Sequence, residues 1–110
     1  MKPNQLKVDR VFHALGDATR RAMLERLTLK PMSVSLLAEP FAMSLAAVVQ
    51  LLQILEEAGL VKTEKLGRVR TCRTESSGLD FAVQWLKARR PEWEGKLDRL
   101  GDLLTEPDAS

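Results

Sequence analysis

The sequence predicts a mainly α-helical fold that carries one small β-hairpin. Three observations support this prediction. Apolar residues recur at helical spacing through the first half of the chain, the period changes to two directly after Gly59, and helical spacing returns from Leu79. At 110 residues the chain has room for one domain, so we expect residues 1–110 to form a single unit.

Two amphipathic helices are predicted at the start of the chain. The apolar residues of the first fall at helical spacing: Val8, Val11, Phe12 and Leu15. They predict a helix over about 4–15. Asp17 is a good N-cap for a second helix over 18–29, and Pro31 ends it. Arg20 follows the cap closely, and we interpret it as a residue that forms an ion pair or binds the backbone.

Two further helices are predicted almost end to end across a tight turn. Ser33 can cap a short third helix over 33–41, and Ser44 can cap a fourth over 44–58. Gly59 then stands at the position where glycine commonly ends a helix. The predicted core residues of the fourth helix are spaced by three, four and three positions: Leu45, Val48, Leu52 and Leu55.

A basic hairpin is predicted directly after the fourth helix, over 60–65 and 68–74. Leu66-Gly67 is not a strong two-residue turn pair, so we expect a longer loop between the strands. Within 61–74 a single acidic residue, Glu64, stands against five basic ones: Lys62, Lys65, Arg68, Arg70 and Arg73. Two helices beside a basic ribbon are typical of DNA-binding proteins. The alternative is a solvent-exposed hairpin whose charged side chains prevent its edge from pairing with other strands.

The C-terminal part predicts a helix over 79–89, and Pro91 either begins a further helix or kinks a continuous one. Four apolar residues beyond it form a heptad-like seam: Trp93, Leu97, Leu100 and Leu104. This stripe either packs on its own domain or meets a second copy. Because small domains need to bury more surface, we favour a dimer built from the two ends. The predicted interface adds three residues of the first helix to the seam: Val8, Val11 and Phe12.

Three strings of residues in order resemble the signatures of the ArsR/SmtB-type bacterial repressors. They are VFHALGDATRR at residues 11–21, Met43-Ser44-Leu45 followed by LEEAGLV at 55–61, and Gly67-Arg68 in the hairpin. The similarity covers about residues 7–105. The resemblance implies a winged helix-turn-helix fold and a homodimeric repressor of an operator with two related half-sites. It also implies dimerisation through the first and last helices, and release by an effector.

The predicted recognition helix departs from many relatives of that type. They carry a Ser-Lys-His-Leu-type run where this chain has Val49-Gln50-Leu51-Leu52, and Arg is frequent where it has Gln53. The predicted DNA-facing side has no cation: Ser44, Ala46, Ala47, Val49, Gln50 and Gln53. Glutamine can pair with adenine, and small apolar groups can contact thymine methyls. Phosphate affinity would then come from the helix N-termini and from the hairpin cations Lys62, Lys65, Arg68 and Arg70.

Single residues suggest little further chemistry. The third and last helices lack the Cys, His and Asp sets of the metal-responsive relatives, so we expect neither a metal nor a cofactor, and the effector stays unidentified. His13 is interpreted as a packing or capping residue and Cys72 as a small buried hydrophobe, with redox reactivity as the alternative for Cys72. No nucleophile–base pair predicts an enzyme.

The location and the competing function class follow from the same features. One cysteine and the lack of a secretory or membrane-spanning stretch predict a cytoplasmic protein. The neutral recognition helix leaves a second hypothesis open, in which the winged helix is a protein–protein interaction or dimerisation module without specific DNA binding.

Overall fold

The computed structural model describes the backbone of residues 3–104 and the side chains of residues 5–96, 99 and 101. It confirms a mainly helical fold with a small antiparallel sheet. The elements in chain order are α1 Pro3–Leu15, α2 Ala18–Leu29, β1 Met32–Ser33, α3 Val34–Ala38, α4 Leu45–Glu57, β2 Val61–Leu66, β3 Val69–Thr74 and α5 Ser77–Leu104.

Side-chain caps set the starts of three helices, as the sequence predicts. The Asp17 carboxylate accepts a hydrogen bond from the Arg20 amide at 2.9 Å. The Ser33 hydroxyl accepts one from the Leu36 amide, and the Ser44 hydroxyl one from the Ala47 amide, both at 3.1 Å. Each bond satisfies an amide that has no partner within its helix. The Ser44 cap therefore fixes where α4 begins.

The sheet contains one strand more than the sequence predicts. Its order is β1-β3-β2, and the short β1 pairs Met32 with Cys72 and Ser33 with Thr71. The third helix begins after the predicted Ser33 cap but ends at Ala38, earlier than predicted, with Pro40 two residues beyond. The expectation of a longer hairpin loop is wrong: Leu66 pairs with Val69, which leaves a two-residue turn. Gly67 has a φ of 62°, the positive value that the first position of a type II′ turn requires.

Helix α5 is continuous through Pro91. Proline removes the amide that would bond the carbonyl of Lys87, but the surrounding residues are exposed, so water can reach that carbonyl. Two i,i+4 ion pairs span this turn, from Arg90 to Glu94 at 2.6 Å and from Lys96 to Glu92 at 3.3 Å. Of the two alternatives that the sequence left open, the continuous helix is the one that forms.

A single apolar core joins the helices to the base of the hairpin. Its largest fully buried side chains come from α1 to α4 and both long strands: Val11, Met23, Leu27, Leu37, Val48, Leu55, Val61 and Cys72. One predicted core residue of α4 is missing from it. Leu45 is 51% exposed, because the first residue of the helix projects past the end of the core.

Glycines hold the end of α4 against the start of α5. Gly59, with a φ of 72°, ends α4 in a Schellman motif, in which the Leu60 amide bonds the Leu55 carbonyl at 3.0 Å. The Gly78 amide then donates to the Gly59 carbonyl at 2.9 Å. The predicted helix end at Gly59 is confirmed, and its contact with Gly78 ties the fourth helix to the last one.

Candidate nucleic-acid interface

The outer face of α4 is accessible along its length. Ser44, Ala46, Gln50 and Gln53 are exposed, whereas Ala47 is half-buried. Val49 is also half-buried and packs against the core. The described side chains of this face carry no cation, as the sequence predicts. Their polar groups are the two glutamine amides and the Ser44 hydroxyl, which is already engaged as a cap.

The hairpin cations differ in how far neighbouring carboxylates neutralise them. Glu64 lies 3.2 Å from Arg73 and 4.0 Å from Lys62. Among the described residues, Lys65 and Arg68 have no carboxylate within ion-pair distance. We therefore expect Lys62 to be the weakest of the four predicted phosphate ligands, because Glu64 already offsets part of its charge.

Arg70 is positioned by a chain of hydrogen bonds that starts on α4. The Thr63 hydroxyl donates to the Glu56 carboxylate at 3.1 Å and accepts from the Arg70 guanidinium at 3.3 Å. The strand register brings Arg70 opposite Lys65, two pairs nearer the hairpin tip than the pair of Thr63 and Cys72, so these residues share one face of the hairpin. Arg70 thus lies on the side of the hairpin that faces the helices.

A groove separates the start of α4 from the hairpin. It has a volume of about 370 Å³ and is lined by Leu45 and Val49 of α4, by Arg68, Val69 and Arg70 of the hairpin, and by Ser35 of α3. Its α4 side is apolar, its hairpin side carries two arginines, and Ser33 and Ser35 add hydroxyl groups. The groove thus places the start of α4 beside the two hairpin arginines.

Cys72 lies on the buried side of the hairpin and is fully covered. Burial raises the pKa of the Cys72 thiol, and this effect outweighs the opposing one of the nearby Arg70 guanidinium. A thiol that is covered and held protonated is a poor nucleophile. The packing interpretation of Cys72 is confirmed, and the idea that neighbouring cations activate it is not supported.

Arg20 binds the backbone at the end of α1, in line with the sequence prediction. Its guanidinium donates to the carbonyls of Ala14 and His13, both at 2.8 Å. Arg21 adds a bond of 2.6 Å to the Leu15 carbonyl. These residues cap the C-terminus of α1. His13 is exposed and contributes its carbonyl to this cap.

A second surface runs along α5. Four apolar side chains, each between 36% and 48% exposed, lie at spacings of four, three and seven residues: Leu79, Val83, Leu86 and Trp93. Arg90 occupies the position between Leu86 and Trp93 at which the repeat would place another apolar residue. The stripe therefore continues into the seam that the sequence shows after Pro91. The side chains of Leu97, Leu100 and Leu104 lie outside the described residues. The interface predicted from the sequence includes the helix of the first three members but does not name them, because the charged Arg90 interrupts the apolar repeat.

The first helix contributes less to this surface than predicted. Val11 is completely buried and Val8 nearly so, because both pack inside the chain between α1 and its neighbours. This corrects the interface prediction for these two residues, because Val11 has no exposed surface and Val8 keeps only 6% of its own. Phe12 stays partly exposed and packs edge-on against Trp85, whose ring also contacts Trp93 in the same way.

A helix pair with an exposed second helix, followed by a basic hairpin, defines the class of winged helix-turn-helix DNA-binding proteins. Within the described part, no helix combines the length and apolarity needed to span a membrane, and no three His, Cys, Asp or Glu side chains cluster as metal ligands would.

Comparison with known proteins gives the family. Residues 15–64 match a family profile described as a helix-turn-helix domain. The chain is 41% identical over 71 residues to the HTH-type transcriptional regulator Rv2034 of Mycobacterium tuberculosis, a match that spans 64% of this chain and 66% of that protein.

Solved structures extend the likeness over the whole fold. The crystal structure of the ArsR family transcriptional regulator RHA00566 is similar with 39% identity and a TM-score of 0.77, over 86% of this chain and 97% of that one. The homodimeric winged helix-turn-helix DNA-binding domain of Mb0332 from Mycobacterium bovis has 26% identity and a TM-score of 0.62, over 84% and 92%.

The chain belongs to the ArsR family. It is a transcriptional regulator with a helix-turn-helix DNA-binding domain, in a family of regulators rather than enzymes.

Proposed function

We propose that this chain is a cytoplasmic homodimeric repressor that binds an operator of two related half-sites. It is released by an effector other than a metal held by Cys or His. The observation that carries the DNA-binding part is the surface formed by the exposed face of α4 and the hairpin, on which Lys65 and Arg68 have no carboxylate partner in the described structure.

The surface suggests a division of roles among its residues. Gln50 and Gln53 project from α4 and are the groups that would read base edges, with Ala46 and Ala47 beside thymine methyls. Ser44 positions the helix by accepting a hydrogen bond from the Ala47 amide, and its hydroxyl keeps one O–H donor for DNA. Arg68 and Arg70, with Lys65, would hold phosphates or a narrow minor groove.

The exposed stripe on α5 supports the homodimer. Four large apolar groups in one line are more than scattered surface hydrophobes, and such patches commonly mark contact surfaces. The similar domain of Mb0332 is homodimeric. Two copies joined along α5 would present two recognition helices, which on a two-fold operator should lie about one DNA turn apart, near 34 Å.

Selection of bound duplexes from a random DNA pool tests the proposal directly. We expect enrichment of sequences with two related half-sites whose centres are about one turn apart, and binding that weakens steeply with salt. Lack of enrichment, together with binding that is insensitive to salt, would instead support the interaction module without specific DNA binding.

The assignment of roles is tested by a pair of substitutions. Arg70→Ala should weaken binding to all DNA sequences alike and reduce the slope of log affinity against log salt by about 1, because one phosphate contact is lost. Gln50→Ala should change base preference and leave the slope unchanged. Fluorescence anisotropy at several salt concentrations measures both quantities.

Lys62→Ala is the matched control for charge. It removes one cation from the same hairpin, but one that Glu64 already pairs, so its effect on affinity and slope should be smaller than that of Arg70→Ala. Equal losses on every sequence for Arg70→Ala and Gln50→Ala would contradict the division of roles.

A further inference from the structure

Leu45 is a large apolar residue that the core of the chain does not cover. It is the first residue of α4, directly after the Ser44 cap, and half of its surface is open. The first turn of a recognition helix is the part that approaches base edges most closely. Leu45 is therefore placed where an apolar side chain meets DNA rather than protein.

The groove beside Leu45 indicates which part of the DNA it meets. One wall is formed by Leu45 and Val49, and the other by the hairpin with Arg68 and Arg70. A groove between a recognition helix and a basic hairpin, with a cationic rim, complements the charge of one sugar–phosphate strand. It is also continuous with the DNA-binding surface of the helix-turn-helix.

We propose that this groove seats one DNA strand and that Leu45 contacts the C5-methyl group of a thymine on that strand. The inference rests on the proposed function. The thymine methyl projects into the major groove, on the edge of the base that lies toward its own backbone. A side chain at the start of the recognition helix, on the side toward the DNA strand in the groove, is therefore placed to contact this methyl group. Leu45 thus adds apolar sequence recognition to a helix face that lacks cations.

Replacement of thymine by deoxyuridine tests this contact, because it removes the methyl group and preserves base pairing. The probe is a duplex recovered from the random pool, with each thymine replaced in turn. The wild-type protein should lose about fourfold in affinity at one position of each half-site, the equivalent of one buried methyl group. Leu45→Ala should bind the thymine and deoxyuridine duplexes equally well at that position.

Two further variants make the result specific. Leu66→Ala removes a leucine at the hairpin tip that is 64% exposed, and it should keep the full preference for thymine. Leu45→Met retains a long apolar side chain and should keep most of the preference for thymine. This variant distinguishes loss of the methyl contact from misfolding of the alanine variant.

The outcomes separate this proposal from the function on which it rests. A protein that enriches an operator but shows no thymine preference at any position, or a Leu45→Ala variant that retains the preference, overturns the Leu45 contact and leaves the repressor proposal intact. A pool that yields no enriched sequence overturns both.

Discussion

Gly78→Ala is expected to destabilise the folded protein by more than about 3 kcal/mol, beyond the range of 1–3 kcal/mol typical for one added methyl group. A Cβ atom at this position would overlap the carbonyl oxygen of Ala58 and lie 3.0 Å from the carbonyl carbons of Ala58 and Gly59. These obstacles are backbone atoms and cannot rotate away. The chain must instead separate α4 from α5 and break the hydrogen bond between the Gly78 amide and the Gly59 carbonyl.

Gly95→Ala is the matched control, because it places the same methyl group in the same helix, where no described atom outside the adjoining helix backbone lies within 4 Å. It should stabilise the protein by about 0.5–1 kcal/mol through the higher helix propensity of alanine. Denaturant unfolding followed by circular dichroism, at one protein concentration for all variants, measures both changes. A Gly78→Ala variant as stable as the wild type would show that the two helices are not in close contact.

The contact between Gly59 and Gly78 joins the recognition helix to the helix of the proposed dimer interface. Gly59 ends the recognition helix, and Gly78 lies in the first turn of the helix that carries the exposed apolar stripe. If two copies join along α5, this contact fixes where each recognition helix lies relative to the dimer axis. Half-site spacing on DNA then depends on two glycines that touch neither DNA nor the partner.

The helices were predictable because local signals determine them. Asp17, Ser33 and Ser44 cap helices by bonding amides three residues ahead, a pattern that is visible in the sequence. The strand β1 was not predictable, because two residues are too few to show an alternating pattern and Met32–Ser33 become a strand only through pairing with β3. Continuity through Pro91 was equally hidden, since it depends on the solvent exposure of one helix face.

The candidate site also combines features that the sequence determines locally with features that depend on the tertiary structure. The charges of the hairpin and the neutral face of α4 are properties of composition and could be read directly. The pairing of Arg73 with Glu64 joins two strands and depends on their register, so only the structure gives it, whereas Lys62 and Glu64 share a face of one strand. Leu45 was assigned to the core because its spacing from Val48 fits the apolar stripe, but spacing alone does not show where the core ends.

Leu86→Glu is expected to convert the proposed dimer into a monomer and to reduce affinity for a duplex with two half-sites by at least about 100-fold. Leu86 lies in the middle of the described part of the α5 stripe, with Val83 before it and Trp93 two turns beyond. A carboxylate there would be buried without a partner in the dimer, which costs more than the lost apolar contact alone. Light scattering after gel filtration measures the mass, and fluorescence anisotropy measures the binding of DNA.

Binding to a duplex that contains a single half-site distinguishes loss of the dimer from loss of the fold. The DNA-binding surface is formed by α4 and the hairpin, whereas α5 packs mainly on α1. The monomer should therefore bind one half-site with the affinity of a single wild-type recognition surface. Ala88→Glu adds the same charge two residues along α5, about 200° around the helix and away from the stripe. It should remain dimeric and bind the full operator normally. Because the two variants carry equal charge, a loss shared by both would arise from repulsion of the DNA, whereas a loss confined to Leu86→Glu places the interface on the apolar stripe.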